Sequence, residues 1–563
     1  MNKKQQAFLQ LGLVIAIAIV LNVLAQRIFG HLDLTEDKRY TMTVATKAIL
    51  GQLEDEVTVD LLMTGDFPAG FKRLQRSVTE MLSDFRSESG YITYRFMDPN
   101  EGSTTEINER VEALAKQGIY SVRLGLKDNE GTEEKYIYPY AVFNYRGKTI
   151  PVNFLEGNQA GLSPEASLNK SVSLLEYKFA DAIQKLQRSE RPAVLFLSGH
   201  GEWGRPNLAS FAASLQNSYV VDTLNLDSVV NLPAEQVAAL IIARPQKVFS
   251  QQDKFKIDQY IMNGGKVLWL IDRLNAGLDS MQGRPEYVPY DYPLDLDDQL
   301  FKYGVRLNAN LVLDLQCSKI PLAVDKQGTL DLFPWYYHLL AASRSNHPVV
   351  KNIDNVNLLF AGSIDTIQTK TPVKKTILLT SSEYSRIQFA PVRLNFEILR
   401  YAPEPDKFDK PYQPLAVLLE GNFPSAFENR VPEDVQAGLQ QMGLAFKTES
   451  VPTKMLVVSD GDIIHNSLDR QLRRPNPVGF NPYDRQTYNG NKEFLQNALE
   501  YLLDDTGLIE ARSREVKLRL LDTVKAKAEK TKWQLVNIGL PILLLGLFGW
   551  LYYFLRKRRY ARM

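Results

Sequence analysis

Two apolar segments without a single charged residue, Gln5 to Gln26 and Trp533 to Leu555, stand at opposite ends of this chain. A helix of roughly 20 residues, rising about 1.5 Å per residue, crosses a hydrocarbon core of about 30 Å. Both segments reach that length, and two crossings return both termini to one side of a bilayer. Residues 30–510 are then a single large body on the other side, tethered at its beginning and its end. The first segment also fits the opening of a secretory signal peptide, with Lys3 and Lys4 ahead of an apolar run. Val23-Leu24-Ala25 is only a partial match to a small-x-small cleavage site, which favours a retained anchor.

Short flanking tails decide orientation when a long domain lies between spans. Arg556, Lys557, Arg558, Arg559 and Arg562 mark the C-terminal tail as cytoplasmic, although Arg519, Lys525, Lys527, Lys530 and Lys532 nearly balance them on the other flank. The expected topology has both termini cytoplasmic and the large body outside. That body has the composition of an ordered protein, since 44% of the chain is hydrophobic and 10% aromatic. Lys+Arg 66 against Asp+Glu 65 leaves almost no net charge and argues against a nucleic-acid partner. Cys317 is the single cysteine, which excludes an intrachain disulfide, a CxxC redox site and a thiolate zinc cluster.

Periodicity gives an α/β reading. Val57 to Met63 reads as a buried strand, and Phe71, Leu74, Val78, Met81, Leu82 and Phe85 place an apolar stripe on a helix. Tyr91 to Phe96 then returns as a strand, so the unit is β-α-β with parallel strands. A short helix ending at Gly118, strands at Tyr120 to Leu126, Tyr136 to Tyr145 and Lys148 to Phe154, and a Gly/Ser/Pro-rich linker follow. One long helix carrying Leu168, Val172, Leu175, Phe179, Ile183 and Leu186 closes this first part. From Ala193 onward, β-α-β-β-α-β alternation through Ile271 predicts a parallel, doubly wound sheet. Strands at Lys375 to Leu379, Leu415 to Leu419 and Met455 to Val458 add to it, with insertions between. Basic residues from Arg512 to Lys532, with Val516, Leu520 and Val524 on one face, predict an amphipathic juxtamembrane helix.

Ser198-Gly-His-Gly-Glu202 sits where a strand should end and a helix begin, the place where open α/β sheets bind ligands. His200 and Glu202 read as an acid/base or ligand pair, or as a tight turn that the glycines alone explain. Asp460-Gly-Asp462 with His465 offers oxygen ligands, but lacks the further ligands of a calcium loop and is also a good turn after a strand. Asp272 ends another strand and joins these as a candidate ligand or partner residue. The aromatic segments Pro334 to His338 and Pro285 to Tyr292 fit a cleft, a core or an interface equally. GxSxG, HExxH, Walker A and GxGxxG patterns are absent, so an ATPase reading lacks its phosphate-binding machinery, and if nucleotide hydrolysis drives this system another subunit must do it. No cofactor, catalytic residue or metal site is expected. In the second span, Gly539, Pro541, Gly546 and Gly549 permit close helix approach and are candidate contacts with a partner's membrane helix.

Leu32-Asp-Leu-Thr-Glu-Asp-Lys-Arg-Tyr40, Ser198 to Glu202, Ser459 to Asn466, Gly490 to Phe494 and Leu520-Leu-Asp522, in this order and spacing, resemble GldG, the auxiliary, substrate-binding-like family of the gliding-motility ABC transporter of Bacteroidetes. The resemblance implies a periplasmic body anchored in the bacterial inner membrane, partnered by a polytopic ABC-2-type permease and a cytoplasmic ATPase. A periplasmic substrate or an envelope protein is a further implied partner. The family's middle domain is similar to one in an intraflagellar-transport subunit and to class I glutamine amidotransferases. Those enzymes need a cysteine nucleophile, which the turn after Leu197 does not supply, so the resemblance implies binding and not catalysis. A membrane-tethered envelope hydrolase using His200/Glu202 or Asp460/Asp462, and a purely mechanical tether, are the rival readings. The expected organisation is an anchor at 1–29, a thioredoxin-like or related domain at 30–190, the amidotransferase-like domain at 191–510, a juxtamembrane helix at 511–532, a span at 533–555 and a cytoplasmic tail at 556–563.

Overall fold

A computed structural model describes residues 41–560, except 66, 129–130, 157–163, 326, 442–444, 470 and 514–528, and also residues 12, 13, 15–17 and 20. Those last six are helical and exposed; the rest of the first apolar segment, the Leu32–Tyr40 motif and most of the juxtamembrane helix lie outside the described residues. The chain divides into two units, residues 1–515 and 516–563.

The first unit opens with helix α1 (Val44–Gly51), N-capped by the Thr43 hydroxyl, which accepts the Thr46 N–H at 3.2 Å. Strand β1 (Val57–Leu61), α2 (Ala69–Glu88) and β2 (Ile92–Phe96) form the expected β-α-β unit, and Val57 pairs with Ile92 in parallel. Leu74, Val78, Leu82 and Phe85, at three- and four-residue spacing, are the buried face of α2. After α3 (Thr104–Lys116), with a capping box between Ser103 and Glu106, come β3 (Val122–Asp128) and β4 (Gly131–Ile137), paired with each other alone. The sequence joins β4 to the next strand; the structure separates them at Tyr138-Pro139, since Pro cannot donate to a ladder. Strands β5 (Tyr140–Tyr145) and β6 (Lys148–Asn153) complete a sheet of order β2-β1-β5-β6, with β5 antiparallel to both neighbours.

The single helix expected after the linker is two, α4 (Pro164–Ser173) and α5 (Leu175–Gln187). No Gly or Pro stands at the break. Tertiary contacts set it: Lys170 is drawn toward Glu156 and Glu493, while Glu176 accepts from the Thr43 N–H and the Thr46 hydroxyl at 2.6 and 2.9 Å.

The larger sheet contains β7 (Ala193–Ser198), β8 (Val220–Asn225), β9 (Val237–Ala243) and β10 (Lys266–Leu270), with α6 (Arg205–Leu215) and α7 (Gln251–Met262) between them. Next come α8 (Asp297–Tyr303), β11 (Val305–Leu307), β12 (Asn310–Asp314), β13 (Cys317–Ala323), β14 (Leu330–Ala341), β15 (Val356–Leu359), β16 (Ile364–Thr366), β17 (Val373–Thr380) and β18 (Ser385–Phe389). Strand β19 (Pro414–Gly421), α9 (Glu433–Gln441), β20 (Thr453–Val458) and α10 (Asn489–Leu503) finish the body. The sheet order is β17-β19-β20-β10-β9-β7-β8. Strands β8, β7, β9, β10 and β20 are parallel, and β19 lies antiparallel against β20 and β17.

Side chains alternate between two buried faces, as a sheet covered on both sides requires. Ala239, Ile241, Leu268 and Leu456 pack with Phe211 of α6 and Phe494 of α10. Leu240, Ile242, Trp269 and Val457 pack with Ile257 of α7 and Tyr303 of α8. The insertions between β10 and β19 build a third, aromatic core around Trp335, Tyr337 and Phe360.

The second unit is α11 (Lys530–Tyr560), the one helix among the described residues long and apolar enough to cross a membrane, over Lys530–Arg558.

Candidate functional site

The parallel strands end at one edge, and the winding reverses at β7: the chain leaves it for β8 on one side and returns to β9 on the other. Ligands of open α/β sheets bind at such a reversal, outside the strands' carboxyl ends. Gly199 to Trp203 leave β7 here, Arg244 follows β9, Asp272 follows β10, and Asp460 to His465 follow β20.

Gly199 (φ 124°) and Gly201 (φ 83°) take the left-handed backbone that the turn requires. The His200 N–H donates to Glu202 Oε2 at 2.7 Å, its carbonyl accepts the Gln246 and Lys247 N–H groups, and its ring stacks on Phe249 with centroids 3.9 Å apart. Nδ1 faces Glu202 Oε1 at 3.2 Å and Nε2 faces Asp253 Oδ2 at 3.3 Å. Burial pulls the imidazole's pKa down, but the hydrogen bonds and charges of Glu202 and Asp253 together raise it above 6.5. Both ring nitrogens are thus occupied by carboxylates, and the buried pair bolts the β7 turn onto the first turn of α7.

Arg244 organises the neighbouring cluster. Its Nε donates to Asp272 Oδ2 at 2.9 Å and lies 3.4 Å from Asp462 Oδ1, and its guanidinium covers the Trp203 ring at 4.6 Å. Asp272 Oδ1 also accepts the Gly461 N–H at 2.7 Å. Asp460 is fully buried and accepts the Leu359 and Asp462 N–H groups, each at 2.6 Å. Burial, helped by the charge of Asp462, pushes the Asp272 carboxyl up to about 7 against the pull of Arg244. Burial pushes Asp460 well above the usual carboxylate range. Arg244 (φ 56°) and Phe360 (φ 54°) hold left-handed backbone unusual for such side chains.

Asp462, His465, Arg244 and Trp203 line a cleft of about 200 Å³ with His338, Phe360, Phe480 and Tyr483. His465 faces the Asn207 amide nitrogen at 3.0 Å through Nε2. An amide nitrogen is a donor only, so Nε2 accepts and the proton sits on Nδ1; burial lowers this group's pKa. His338 is 1% exposed, burial alone takes its pKa down to about 3, and its Nδ1 has no hydrogen-bond partner. Asp462 Oδ1 also lacks one, and among the described residues it has Arg244 at ion-pair distance, 3.4 Å.

Of the residues singled out from the sequence, Asp462 and His465 line the cleft, Asp272 and Asp460 brace it, and His200 and Glu202 belong to the adjoining turn. Arg244 and Trp203 are the residues sequence reasoning missed, while His338 ends the aromatic segment that fitted a cleft, a core or an interface equally. The available signal was position: Arg244 directly follows an apolar strand, and Trp203 directly follows Gly-His-Gly-Glu. Among the described residues no group of three His, Cys, Asp or Glu is placed to hold a metal. Cys317, on β13, is half-buried with its thiol pushed up to about 12 by burial, which suppresses the thiolate. Gly539, Gly546 and Gly549 of α11 border open space, and Pro541 lies within that exposed helix.

A mixed α/β body with a polar and aromatic cleft at its strand ends, on a chain carrying a helix of membrane-crossing length, defines the class of this molecule. The chain belongs to the family described as ABC-type uncharacterized transport system, auxiliary components of such systems, whose model matches residues 191–498. A domain of unknown function, DUF7088, matches residues 36–144. No curated protein matches the chain. Among solved structures, one titled mmIFT52 N-terminal domain is 12% identical and covers 55% of this chain and 96% of its own, with a TM-score of 0.31.

Proposed function

We propose that this protein is a non-catalytic, membrane-anchored auxiliary subunit of an ABC-2-type transporter of the gliding-motility kind, acting beside a polytopic permease and a cytoplasmic ATPase. Its thioredoxin-like or related N-terminal domain (30–190) and amidotransferase-like domain (191–510) stand in the periplasm, both termini are cytoplasmic, and the Asp462 cleft receives a substrate or envelope partner. The observation that carries this reading is the family match over the cleft-bearing body on a chain that also has α11. Hydrolysis by His200 and Glu202 is disfavoured because each is held by the other and His200 also by Asp253.

The test is affinity purification of the tagged full chain in mild detergent from cells that make the permease and ATPase. Recovery of both subunits is the expected result, and replacing Gly539, Gly546 and Gly549 by Leu should reduce it. A chain recovered alone would sink the proposal.

A further inference from the structure

The charges facing the cleft do not cancel. Asp462 and Asp279 line it, and among the described lining residues Arg244 is the one Arg or Lys, hydrogen-bonded to Asp272, 3.4 Å from Asp462 and stacked on Trp203. The two histidines there add no positive charge, because burial keeps both neutral. Two buried groups in the wall lack hydrogen bonds, Asp462 Oδ1 and His338 Nδ1. A carboxylate only accepts, and Nδ1 of a neutral His338 accepts when the ring proton sits on Nε2. The ion pair with Arg244 still leaves Asp462 Oδ1 without a hydrogen bond, and a buried acceptor without one is destabilising, so the wall is short of a donor. Trp203, Phe360, Phe480 and Tyr483 supply aromatic surface around the same space, and ring faces attract cations. A neutral polyol would satisfy the acceptors but leave the charge unbalanced. A carboxylate or phosphate would meet Asp462 and Asp279 as like charges.

We propose that the cleft binds a small ammonium ligand, whose N–H groups donate to Asp462 and His338 while the aromatic walls hold its carbon skeleton. This rests on reading the cleft as the protein's ligand site. The cleft volume of about 200 Å³ restricts the ligand to a small amine or to the amine-bearing end of a larger molecule.

The experiment compares benzylamine with its neutral isostere benzyl alcohol on the detergent-solubilised full chain, by calorimetric titration and thermal unfolding. Benzylamine should bind saturably and raise the unfolding midpoint, benzyl alcohol should do neither, and D462N should weaken benzylamine about tenfold or more. Equal binding of the alcohol, an unchanged benzylamine affinity in D462N, or no saturable benzylamine binding would overturn the assignment. If D462N does not fold, the amine and alcohol arms on the unmodified chain decide. Recovery of permease and ATPase is scored separately, so the amine assignment and the transporter reading fail independently.

Discussion

Gly461 has no room for a methyl group. A Cβ there would lie 2.5 Å from Arg244 Cβ and 2.8 Å from its Cα, so Arg244 reaches Asp272 only because position 461 is bare. G461A should therefore cost about 1–3 kcal/mol. G277A, where a Cβ meets nothing within 4 Å, should stay within about 0.5 kcal/mol of the parent. Denaturant midpoints distinguish the two, and equal midpoints would refute the packing account. His338 carries a pH signature. Its folded pKa of about 3 lies below the unfolded value near 6.5, so the unfolded chain takes up a proton that the native state refuses. Stability is lost as pH falls from 6.5 toward 3, by at most about 1.4 kcal/mol per pH unit from this group. H338Q should flatten the dependence between pH 7 and 5 in urea titrations. It should not abolish it, because His347, taken down to about 4 by burial, acts with the same sign. An unchanged slope in H338Q would contradict the burial argument.

The two sheets are joined by charges carried on helices. Lys185 of α5 reaches Asp181 at 2.7 Å and Glu500 of α10 at 3.3 Å, and Tyr177 donates its hydroxyl proton to Glu500. Burial alone would lower the Lys185 pKa, but the two carboxylates together raise it, so the ion is held charged inside this contact. E500A removes one carboxylate and strands the Tyr177 hydroxyl. It should cost about 2–3 kcal/mol, below the full value for a buried pair because Glu500 keeps 24% of its side chain exposed. Equilibrium unfolding measures the loss, and a change under 0.5 kcal/mol would mean that this contact is no more than a surface pair. Such couplings show where sequence reading stops. The β1-α2-β2 unit and the strand over 193–197 were legible, because apolar spacing within a dozen residues reports local structure. The break at Leu174 was not, because Glu156, Glu493, Thr43 and Thr46 act on α4 and α5 from distant positions. The site divides in the same way. Asp460 to His465 announce themselves in one short segment, whereas Arg244, Asp272 and His338 meet them only through strand order.

At the scale of the whole molecule, the body and α11 are separate units, so their contributions can be separated. A chain truncated after residue 529 should keep the parent body's unfolding midpoint and lose co-purification with the permease. Retained co-purification would move the contact to the body or to the N-terminal segment. Within the body, β10 lies between β9 and β20, yet β20 begins only at Thr453. During synthesis, then, one flank of β10 stays open while residues 271–452 are made. Val267, Leu268, Trp269 and Leu270, all fully buried at the end, wait that long for cover. An open apolar strand edge invites pairing with other chains. Strand order thus sets how long a half-built sheet keeps an open edge, and with it the interval in which a newly made chain is exposed to mispairing.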